Sequence, residues 1–291
     1  MKNRKGILLA GGSGTRLYPV TKIVSKQILP LYDKPMIYYS MSILMMAGIK
    51  DIIIISTPRD IIFFKNLFGS GKNFGINLSY EVQEEPKGIA QALIIAEKFV
   101  GKSPMALMLG DNFFYGSNLE EILISSSKKN ISTIFAYEVN DPTRYGIISC
   151  DKNGIPYKIS EKPKKPKSNF AVTGLYFFEN EAIKVAKLLK PSRRGELEIT
   201  DVNKFFLKKK KLKVQYLSRG FAWLDTGTFE SFFEASQLIR TIENRQGIKI
   251  GCLEEIALNK GWISNSDFRL IVKSLSKSTY GDYLKKLNTK K

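Results

Sequence analysis

The chain has 291 residues, of which 43% are hydrophobic, enough to bury the core of one large α/β domain or of two smaller ones. It carries 46 lysines and arginines against 27 aspartates and glutamates, for a formal charge of +19, and it has no histidine. We therefore expect neither a zinc site nor histidine acid–base catalysis, and any metal should be a hard cation held by oxygen atoms.

The first predicted strand, Ile7–Ala10, leads into a glycine-rich turn, Gly11-Gly12-Ser13-Gly14-Thr15-Arg16. Glycines let backbone N–H groups approach an anion closely, and Lys26 adds a further positive charge ten residues later. The turn fits neither the loop that ends Gly-Lys-Ser/Thr nor the dinucleotide pattern Gly-x-Gly-x-x-Gly. An ordinary strand-to-helix turn is the alternative, but the nearby charges favour a phosphate-binding turn.

Helices and strands then alternate, which is typical of a parallel, doubly wound sheet with helices on both faces. Asp51–Ser56 is a continuous β-branched run, as expected for a strand that is buried on both faces. The further strands predicted here are Asn77–Val82 and Met105–Leu109, and the helices are Met36–Met46, a helix capped by Asp60 and ending at Phe68, and Ile89–Val100. We predict a Rossmann-like α/β fold with a mostly parallel twisted sheet.

The pattern changes after the predicted strand Ile131–Glu138. Three strands follow, with a hairpin signal at Asn153-Gly154 between the first two, and this favours mixed or antiparallel pairing. These strands are Arg144–Ser149, Ile155–Ser160 and Ala171–Phe178. We interpret the segment at about residues 112–225 as a smaller subdomain inserted into a core of residues 1–240.

Helices dominate the rest of the chain. Asn180–Leu189 and Ile199–Lys210 are predicted helices, Leu212–Leu217 is a strand, and Trp223–Gly227 is a turn. A helix from about Thr228 to Arg245 places one face inward, with Phe229, Phe232, Phe233, Leu238, Ile239 and Ile242. Residues 241–291 form a C-terminal segment of short helices, predicted at Leu253–Lys260, Asp267–Ser276 and Thr279–Lys290.

Two aspartates are candidate metal ligands. Asp111 follows a buried strand, at the sheet edge where open α/β folds bind ligands, and Asp225 lies in the later turn. Taken singly, each also fits a helix cap or a local turn. Taken together, two carboxylates about 4 Å apart repel by roughly 4 kcal/mol at an effective dielectric of 20, and a divalent cation converts that repulsion into binding.

Three further side chains suit a phosphorylated sugar and a base. Glu161 and Lys162 stand together at a predicted strand end, where the carboxylate would accept from hydroxyls and the ammonium would donate to phosphate. Gln83 follows another strand, and its amide presents the donor and acceptor that match a pyrimidine imide edge. Solvation at the surface is the alternative for both Lys162 and Gln83.

The positive charge by itself suggests nucleic acid. However, the excess is mostly lysine in scattered runs, Lys162–Lys167, Lys208–Lys211 and Lys290-Lys291, and no nucleic-acid-binding motif accompanies them. We expect no nucleic-acid partner. We expect no membrane association either, because there is no apolar run of about 18 residues. Cys150 and Cys252 lack a paired spacing, which indicates the reducing cytoplasm.

A set of motifs, in order and over nearly the whole chain, resembles the sugar-nucleotide pyrophosphorylases, most of all their thymidylyl-transferring branch. The motifs are Gly11–Arg16 with Lys26-Gln27, Leu109–Asn112, Arg144–Gly146, Glu161–Pro163, Thr173–Tyr176, Gly195–Asp201 and Trp223–Gly227. The resemblance implies condensation of dTTP and α-D-glucose 1-phosphate to dTDP-glucose and pyrophosphate, with Mg²⁺. It also implies the nucleotidyltransferase type of fold, a homotetramer, and a place in dTDP-rhamnose and polysaccharide synthesis.

The resemblance also assigns the site. Nucleotide-binding residues are then Gly11, Gly14, Thr15, Arg16, Lys26, Gln27, Gln83 and Gly88. Sugar and sugar-phosphate contacts are Asn112, Gly146, Glu161, Lys162, Val172 and Tyr176, which makes the subdomain the sugar-binding one. Arg16, Lys26 and Lys162 are the implied catalytic residues, and Asp111 and Asp225 would hold Mg²⁺.

Two positions depart from the family pattern. The chain has Ser117 where the family commonly has histidine, and Asn259 where it often has arginine, at positions that the family associates with a second, regulatory nucleotide site; Arg219 and Glu255 remain. The alternatives that stay open are an enzyme that uses UTP, a non-catalytic sugar-nucleotide-binding subunit, and a nucleic-acid binder.

Overall fold

A nine-stranded sheet organises the computed structural model, which describes residues 3–12 and 14–289. Ser13 of the glycine-rich turn and the terminal Lys290-Lys291 lie outside the described residues. The strands of the described part are β1 (Lys5–Ala10), β2 (Pro30–Leu31), β3 (Lys34–Pro35), β4 (Asp51–Ser56), β5 (Asn77–Val82), β6 (Met105–Leu109), β7 (Asn112–Tyr115), β8 (Ser132–Glu138), β9 (Gly146–Cys150), β10 (Pro156–Glu161), β11 (Phe170–Phe178), β12 (Leu212–Leu217) and β13 (Ala222–Asp225).

The helices cover the two faces of this sheet and form the C-terminal segment. They are α1 (Ile37–Met46), α2 (Ile61–Phe68), α3 (Gln91–Ile95), α4 (Glu97–Val100), α5 (Leu119–Ser127), α6 (Glu181–Leu188), α7 (Ile199–Lys208), α8 (Phe229–Gln246), α9 (Leu253–Asn259), α10 (Asn265–Ser274) and α11 (Thr279–Thr289). None of the helices in the described ranges is both long and apolar enough to cross a membrane.

The sheet has a parallel half and a mixed half. Its order is β10-β9-β11-β6-β1-β4-β5, and β6, β1, β4 and β5 pair in parallel. Strand β11 then runs antiparallel to β6, β8 and β9, while β12 pairs in parallel with β8. The predicted Rossmann-like sheet and the mixed-strand region are confirmed.

Alternate residues of the central strands belong to two hydrophobic cores, one on each face of the sheet. Ile52 and Ile54 of β4 pack with α1 on one face, whereas Ile53 and Ile55 pack on the opposite face with the helices after β5. All four are buried, as the continuous β-branched run predicts. The C-terminal helices join the first core, where Leu253 of α9 lies in the same cluster as Met41 of α1.

The long helix α8 turns only part of the predicted face inward: Ile239 is buried and Phe232 and Leu238 pack against the same core, but Phe229 and Phe233 do not. Phe229 and Phe233 are 50% and 59% exposed, and the buried stripe is Ser231, Ala235, Ile239 and Glu243. At 3.6 residues per turn, Phe229 and Phe233 lie roughly opposite this stripe, so they cannot share its face. Aromatic content therefore misplaced Phe229 and Phe233, and it gave no sign that the polar residues Ser231 and Glu243 are buried.

The segment Trp223–Gly227 was predicted as a turn, but most of it is strand. Ala222–Asp225 forms β13 and pairs antiparallel with β7, with Asp225 opposite Asn112 and Trp223 opposite Phe114. The two strands have four residues each, too short for a sequence period to reveal them.

Two helix predictions need smaller corrections. The predicted Ile89–Val100 is two helices, α3 and α4, that meet at Ala96. Asp60 precedes α2, but its carboxylate does not cap the helix; it accepts hydrogen bonds from Thr57 and Arg59. Helix α5 had no sequence prediction.

Candidate active site

The glycine-rich turn and Asp111 follow neighbouring parallel strands. Strands β1 and β6 pair directly, so their carboxyl ends bring Gly11 and Asp111 to one edge of the sheet. Gly12 and Gly14 have φ of +108° and +60°, a left-handed backbone that favours glycine. The carbonyl of Gly14 accepts a hydrogen bond from Thr21 Oγ1 at 2.7 Å, which holds the turn in this shape.

The short β7–β13 ribbon brings the two predicted metal ligands together. Asp111 immediately precedes β7 and Asp225 ends β13, opposite Asn112. The backbone N–H and Oγ1 of Thr226 both donate to the carbonyl of Asp111, at 3.0 and 2.8 Å. Tertiary pairing therefore unites two aspartates that are distant in sequence.

The two aspartates differ in their partners. Although burial alone would raise it, the pKa of Asp111 is lowered, because the Lys26 ammonium contacts its carboxylate and the Asn112 amide donates to it. The pKa of Asp225 is raised, chiefly by burial and also by the negative charge of Asp111; Tyr145, which donates to it at 2.8 Å, opposes this.

This pair of carboxylates fits Mg²⁺. Mg²⁺ prefers one or two carboxylates, with water and substrate phosphates as its other ligands. Over residues 3–12 and 14–289, no group of three or more histidine, cysteine, aspartate or glutamate side chains could hold a metal ion, so a closed protein cage is not formed. The influence of Asp111 on the pKa of Asp225 shows the repulsion that a divalent cation would relieve.

A cleft of about 440 Å³ opens beside the aspartates, and all six residues predicted to contact the sugar or its phosphate line it. The predicted residues that line it are Arg16, Asp111, Asn112, Gly146, Glu161, Lys162, Val172, Tyr176 and Asp225. The remaining predicted residues lie around the glycine-rich turn, in the segment of Lys26 and Gln27, and in the loop after β5.

Sugar-side groups are held in place by neighbours. Thr200 Oγ1 donates to Glu161 Oε2 at 2.5 Å. The backbone N–H of Lys162 donates to the Tyr145 carbonyl at 3.0 Å, and Lys162 has φ of +40°, an uncommon backbone for a side-chain-bearing residue. Such a backbone persists only where the surroundings impose it, and it is frequent at binding sites.

The Asn112 amide is oriented by two donors. Trp223 Nε1 and the backbone N–H of Gly174 both donate to Asn112 Oδ1, at 2.7 and 3.0 Å. The Nδ2 group therefore faces Asp111, to which it donates at 2.9 Å. One amide hydrogen remains for a ligand.

The positive charges of the nucleotide side converge on the aspartates. Lys26 contacts Asp111, and the Arg16 guanidinium lies beside Gly227, where its charge favours the ionised form of Asp225. Gln27 is only 2% exposed, and its amide oxygen accepts from Ser25. The structure thus brings Lys26 and Arg16 to the cleft and buries Gln27 next to Gly110.

The predicted base-binding residues lie at the far side of the glycine-rich turn. Oε1 of Gln83 lies directly over Gly11, so a Cβ at this position would displace the Gln83 amide. Gly88 has φ of +103°, and a Cβ on it would lie 2.5 Å from the Leu197 carbonyl oxygen. Backbone hydrogen bonds of Lys87 and Ala90 with Leu197 hold the end of the loop that follows Gln83 against the Gly195–Asp201 segment that borders the cleft.

Sequence reasoning missed several residues of the cleft. Arg194 forms hydrogen bonds with both carboxylate oxygens of Glu198, at 2.8 and 2.9 Å, and lies 3.6 Å from Glu161. Thr200 and Tyr145 also line the cleft and hold Glu161 and Asp225. Their positions next to or inside quoted motifs were the available signal, but motif membership does not reveal which side chain faces the cleft.

A second cavity of about 470 Å³ lies between α1, β7, α5 and the start of α9. Tyr39, Tyr115, Asn118, Lys249 and Glu255 are among its lining residues. Glu255, one of the positions associated with regulation, therefore faces this cavity, and Ser117 is the chain neighbour of Asn118. Arg219 is exposed in the turn between β12 and β13.

Comparisons with known proteins agree with this geometry. The family model of the nucleotidyl transferases matches residues 5–242. The glucose-1-phosphate thymidylyltransferase of Neisseria meningitidis is 52% identical over 97% of this chain and 99% of its own length. The enzyme of the same name from Mycolicibacterium smegmatis is 51% identical, over 97% and 98%.

Solved structures give the same answer for the fold. A Bacillus anthracis protein described as a glucose-1-phosphate thymidylyltransferase, crystallised with sucrose, superimposes with a TM-score of 0.75 and 40% identity, over 81% of this chain and 95% of that one. A UDP-glucose pyrophosphorylase in complex with UDP-glucose superimposes with a TM-score of 0.73 and 26% identity, over 82% and 99%.

Proposed function

This chain belongs to the nucleotidyl transferase family, and from that premise we infer that it transfers a thymidylyl group from dTTP to glucose 1-phosphate, forming dTDP-glucose and pyrophosphate. The observation that carries this inference is the 52% identity over 97% of the chain to an enzyme of that name. The cleft supports it, since it combines a basic turn, two carboxylates and sugar-facing polar groups at one sheet edge.

The reaction needs no protein base. The phosphate oxygen of glucose 1-phosphate is already anionic at neutral pH, and it attacks the α-phosphorus of dTTP in line while pyrophosphate leaves. The protein's task is to hold the two anionic substrates in line and to neutralise their charge. We assign the sugar phosphate to Lys162 and the triphosphate to Arg16, Lys26 and the glycine-rich turn.

We propose that Asp111 and Asp225 hold Mg²⁺. When bound, the ion supplies positive charge to phosphoryl oxygens whose negative charge is spread in the transition state. The contact with Asp111 also keeps the Lys26 ammonium at the same edge of the cleft. Removal of divalent cations with a chelator should abolish pyrophosphate release, and added Mg²⁺ should restore it.

The glucose ring is assigned to the mixed-strand side of the cleft. Glu161, held by Thr200, accepts hydrogen bonds from sugar hydroxyls, and Asn112 offers its free amide hydrogen. Gly146 and Val172 leave space for the ring, and buried Tyr176 closes the floor.

Pyrophosphate release with a panel of nucleotides tests the function. We expect turnover with dTTP and glucose 1-phosphate, and slower turnover with UTP, because the thymine methyl is worth about 1–3 kcal/mol in an apolar pocket. Equal initial rates with dTTP and UTP would favour a uridylyltransferase. Binding of dTDP-glucose without turnover on any substrate pair would favour a non-catalytic subunit.

We further propose a homotetramer in the cytoplasm that serves dTDP-rhamnose and polysaccharide synthesis. The family resemblance supports the assembly and the pathway, and the two free cysteines, Cys150 and Cys252, support a reducing compartment. Sedimentation velocity would give the assembly, and loss of the nucleotide sugar in a deletion strain would give the pathway.

A further inference from the structure

Two glutamine amides meet at the base end of the site. Gln83, which is 3% exposed, donates from Nε2 to Oε1 of Gln91 at 2.8 Å. Gln91 is the first residue of α3 and has no role in the site described so far. The two ends of a glutamine amide have nearly the same shape, so only their hydrogen-bond partners decide which end faces the base.

The backbone removes that ambiguity. The N–H of Lys87 donates to Oε1 of Gln91 at 3.0 Å, and a backbone N–H can only donate. The end of Gln91 that faces this N–H must therefore be the oxygen. The same oxygen receives the Gln83 amide, so the Gln83 group that meets it must be the nitrogen.

These hydrogen bonds occupy the amide nitrogen of Gln83 and leave its amide oxygen for a ligand. Its Oε1 lies over Gly11, where a Cβ would collide with it, and Gly11 begins the phosphate-binding turn. The loop itself is fixed, because Lys87 and Ala90 exchange backbone hydrogen bonds with Leu197 at 2.7 and 3.1 Å. Lys87 therefore presents its N–H from a backbone that is tied down on both sides of Gly88.

We propose that Gln91 is a positioning residue that selects the nucleobase by fixing the orientation of the Gln83 amide. Held in this way, Gln83 presents an acceptor to the base. Thymine and uracil carry an N–H donor at N3 and match it, whereas the N3 of cytosine is an acceptor whose nitrogen lone pair would face the lone pairs of Oε1. This inference rests on the proposed function, because it takes Gln83 to be the residue that meets the base.

Two variants with side chains of similar size distinguish a positioning role of Gln91 from a merely structural one. Gln91→Glu keeps an acceptor for both the Lys87 N–H and the Gln83 amide, whereas Gln91→Met leaves a side chain of similar length that cannot replace that acceptor. In the methionine variant the Gln83 amide is free to rotate and to offer its nitrogen to cytosine. We expect the ratio of kcat/KM for dTTP to that for dCTP to fall about tenfold in Gln91→Met and to stay near the wild-type value in Gln91→Glu.

Two further measurements on the same variants control for a general loss of activity. In both variants the ratio of kcat/KM for dTTP to that for dUTP should stay within about twofold of the wild-type ratio, since thymine and uracil share the imide edge. KM for glucose 1-phosphate should not change. An unchanged dTTP to dCTP ratio in Gln91→Met would overturn the proposal, as would an equal loss in Gln91→Glu.

A measurement on the unmodified protein keeps the proposal testable if Gln91→Met does not fold. Calorimetric titration with dTTP and with N3-methyl-dTTP compares the base with and without its N3 donor. We expect at least tenfold weaker binding of the methylated nucleotide, and equal binding would contradict the proposed orientation. Because this is a binding assay, failure of turnover with dTTP would refute the proposed function without deciding the orientation of Gln83.

Discussion

Asp111 in the cleft and two glutamates beside the second cavity are carboxylates with opposite kinds of partner. In the cleft, Asp111 contacts the Lys26 ammonium, which holds its pKa below the ordinary value. Beside the second cavity, burial raises the pKa of Glu254 and of Glu255, and the partners that donate to them are the hydroxyls of Tyr280 and Tyr283. A nearby cation stabilises the ionised carboxylate. A phenol donates a hydrogen bond to it but does not offset the unfavourable burial of its charge.

The strongest test of the comparison is to neutralise the cleft carboxylates. Asp111→Asn and Asp225→Asn should each lower turnover by at least about 1,000-fold, because the substrate phosphates lose the charge that anchors their counter-ion. Pyrophosphate release measures the effect, and thermal unfolding should show that the fold is retained. Full activity in either variant would remove the metal assignment.

The next test concerns a cation at the same cleft. Lys162→Met should lower kcat/KM for glucose 1-phosphate about 100-fold, because it removes the charge assigned to the sugar phosphate. Lys164→Met is the matched control, since Lys164 lies in the same basic turn, is exposed and does not line the cleft. Equal losses in the two variants would point to a general effect of charge on substrate attraction.

A smaller loss is expected from the hydroxyl that holds Glu161. Thr200→Val keeps the shape of a buried side chain and removes the 2.5 Å hydrogen bond to Glu161. We expect KM for glucose 1-phosphate to rise roughly fivefold with little change in kcat, in line with about 1 kcal/mol for one hydrogen bond. Thr200→Ser should restore the wild-type KM, and a fall in kcat alone would contradict a positioning role.

The smallest expected effect is on the stability of the fold, beside the second cavity, and here neutralising the carboxylate should be favourable. The raised pKa of Glu254 means that its contribution to stability is present below the pKa of the unfolded chain and is lost as the pH rises through the folded pKa. Glu254→Gln should therefore stabilise the fold at pH 8 by on the order of 1 kcal/mol, and by less at pH 5.

Urea unfolding at several pH values measures this difference. Glu255→Gln is the matched comparison, because Glu255 also accepts from a tyrosine but is less buried, so the gain should be smaller. A loss of stability in Glu254→Gln that is independent of pH would mean that the carboxylate is needed in its ionised form.

The sequence predicted the parts of this molecule that depend on local pattern. The buried run Asp51–Ser56 and the hairpin at Asn153-Gly154 follow from β-branched content and from glycine's backbone freedom, and both are found. The motifs also singled out Asp111 and Asp225 as a candidate pair, and the structure brings the two together. Their proximity could not be predicted from local pattern, because it depends on the pairing of β7 with β13.

Side-chain direction was the other limit. The aromatic residues Phe229 and Phe233 suggested an inward position on α8, but they are exposed, while Ser231 is buried in the local capping box with Thr228 and Glu243 is buried against the distant Lys34. For the same reason Arg194 and Thr200 escaped notice, since their contacts with Glu161 join segments that are distant in sequence.

The β7–β13 ribbon also determines when, during synthesis of the chain, the pair of aspartates is completed. Thr226 and Asp111 hydrogen-bond across a separation of 115 residues, and the ribbon that joins their strands is the route by which Asp225 reaches Asp111. Contacts of such long range form late, after the cost of closing the loop has been met. A nascent chain that has not yet emerged past Thr226 can hold the parallel strands and the glycine-rich turn, but it lacks the second carboxylate. Truncated translation products should therefore be inert, and catalysis should begin only once this last ribbon has closed.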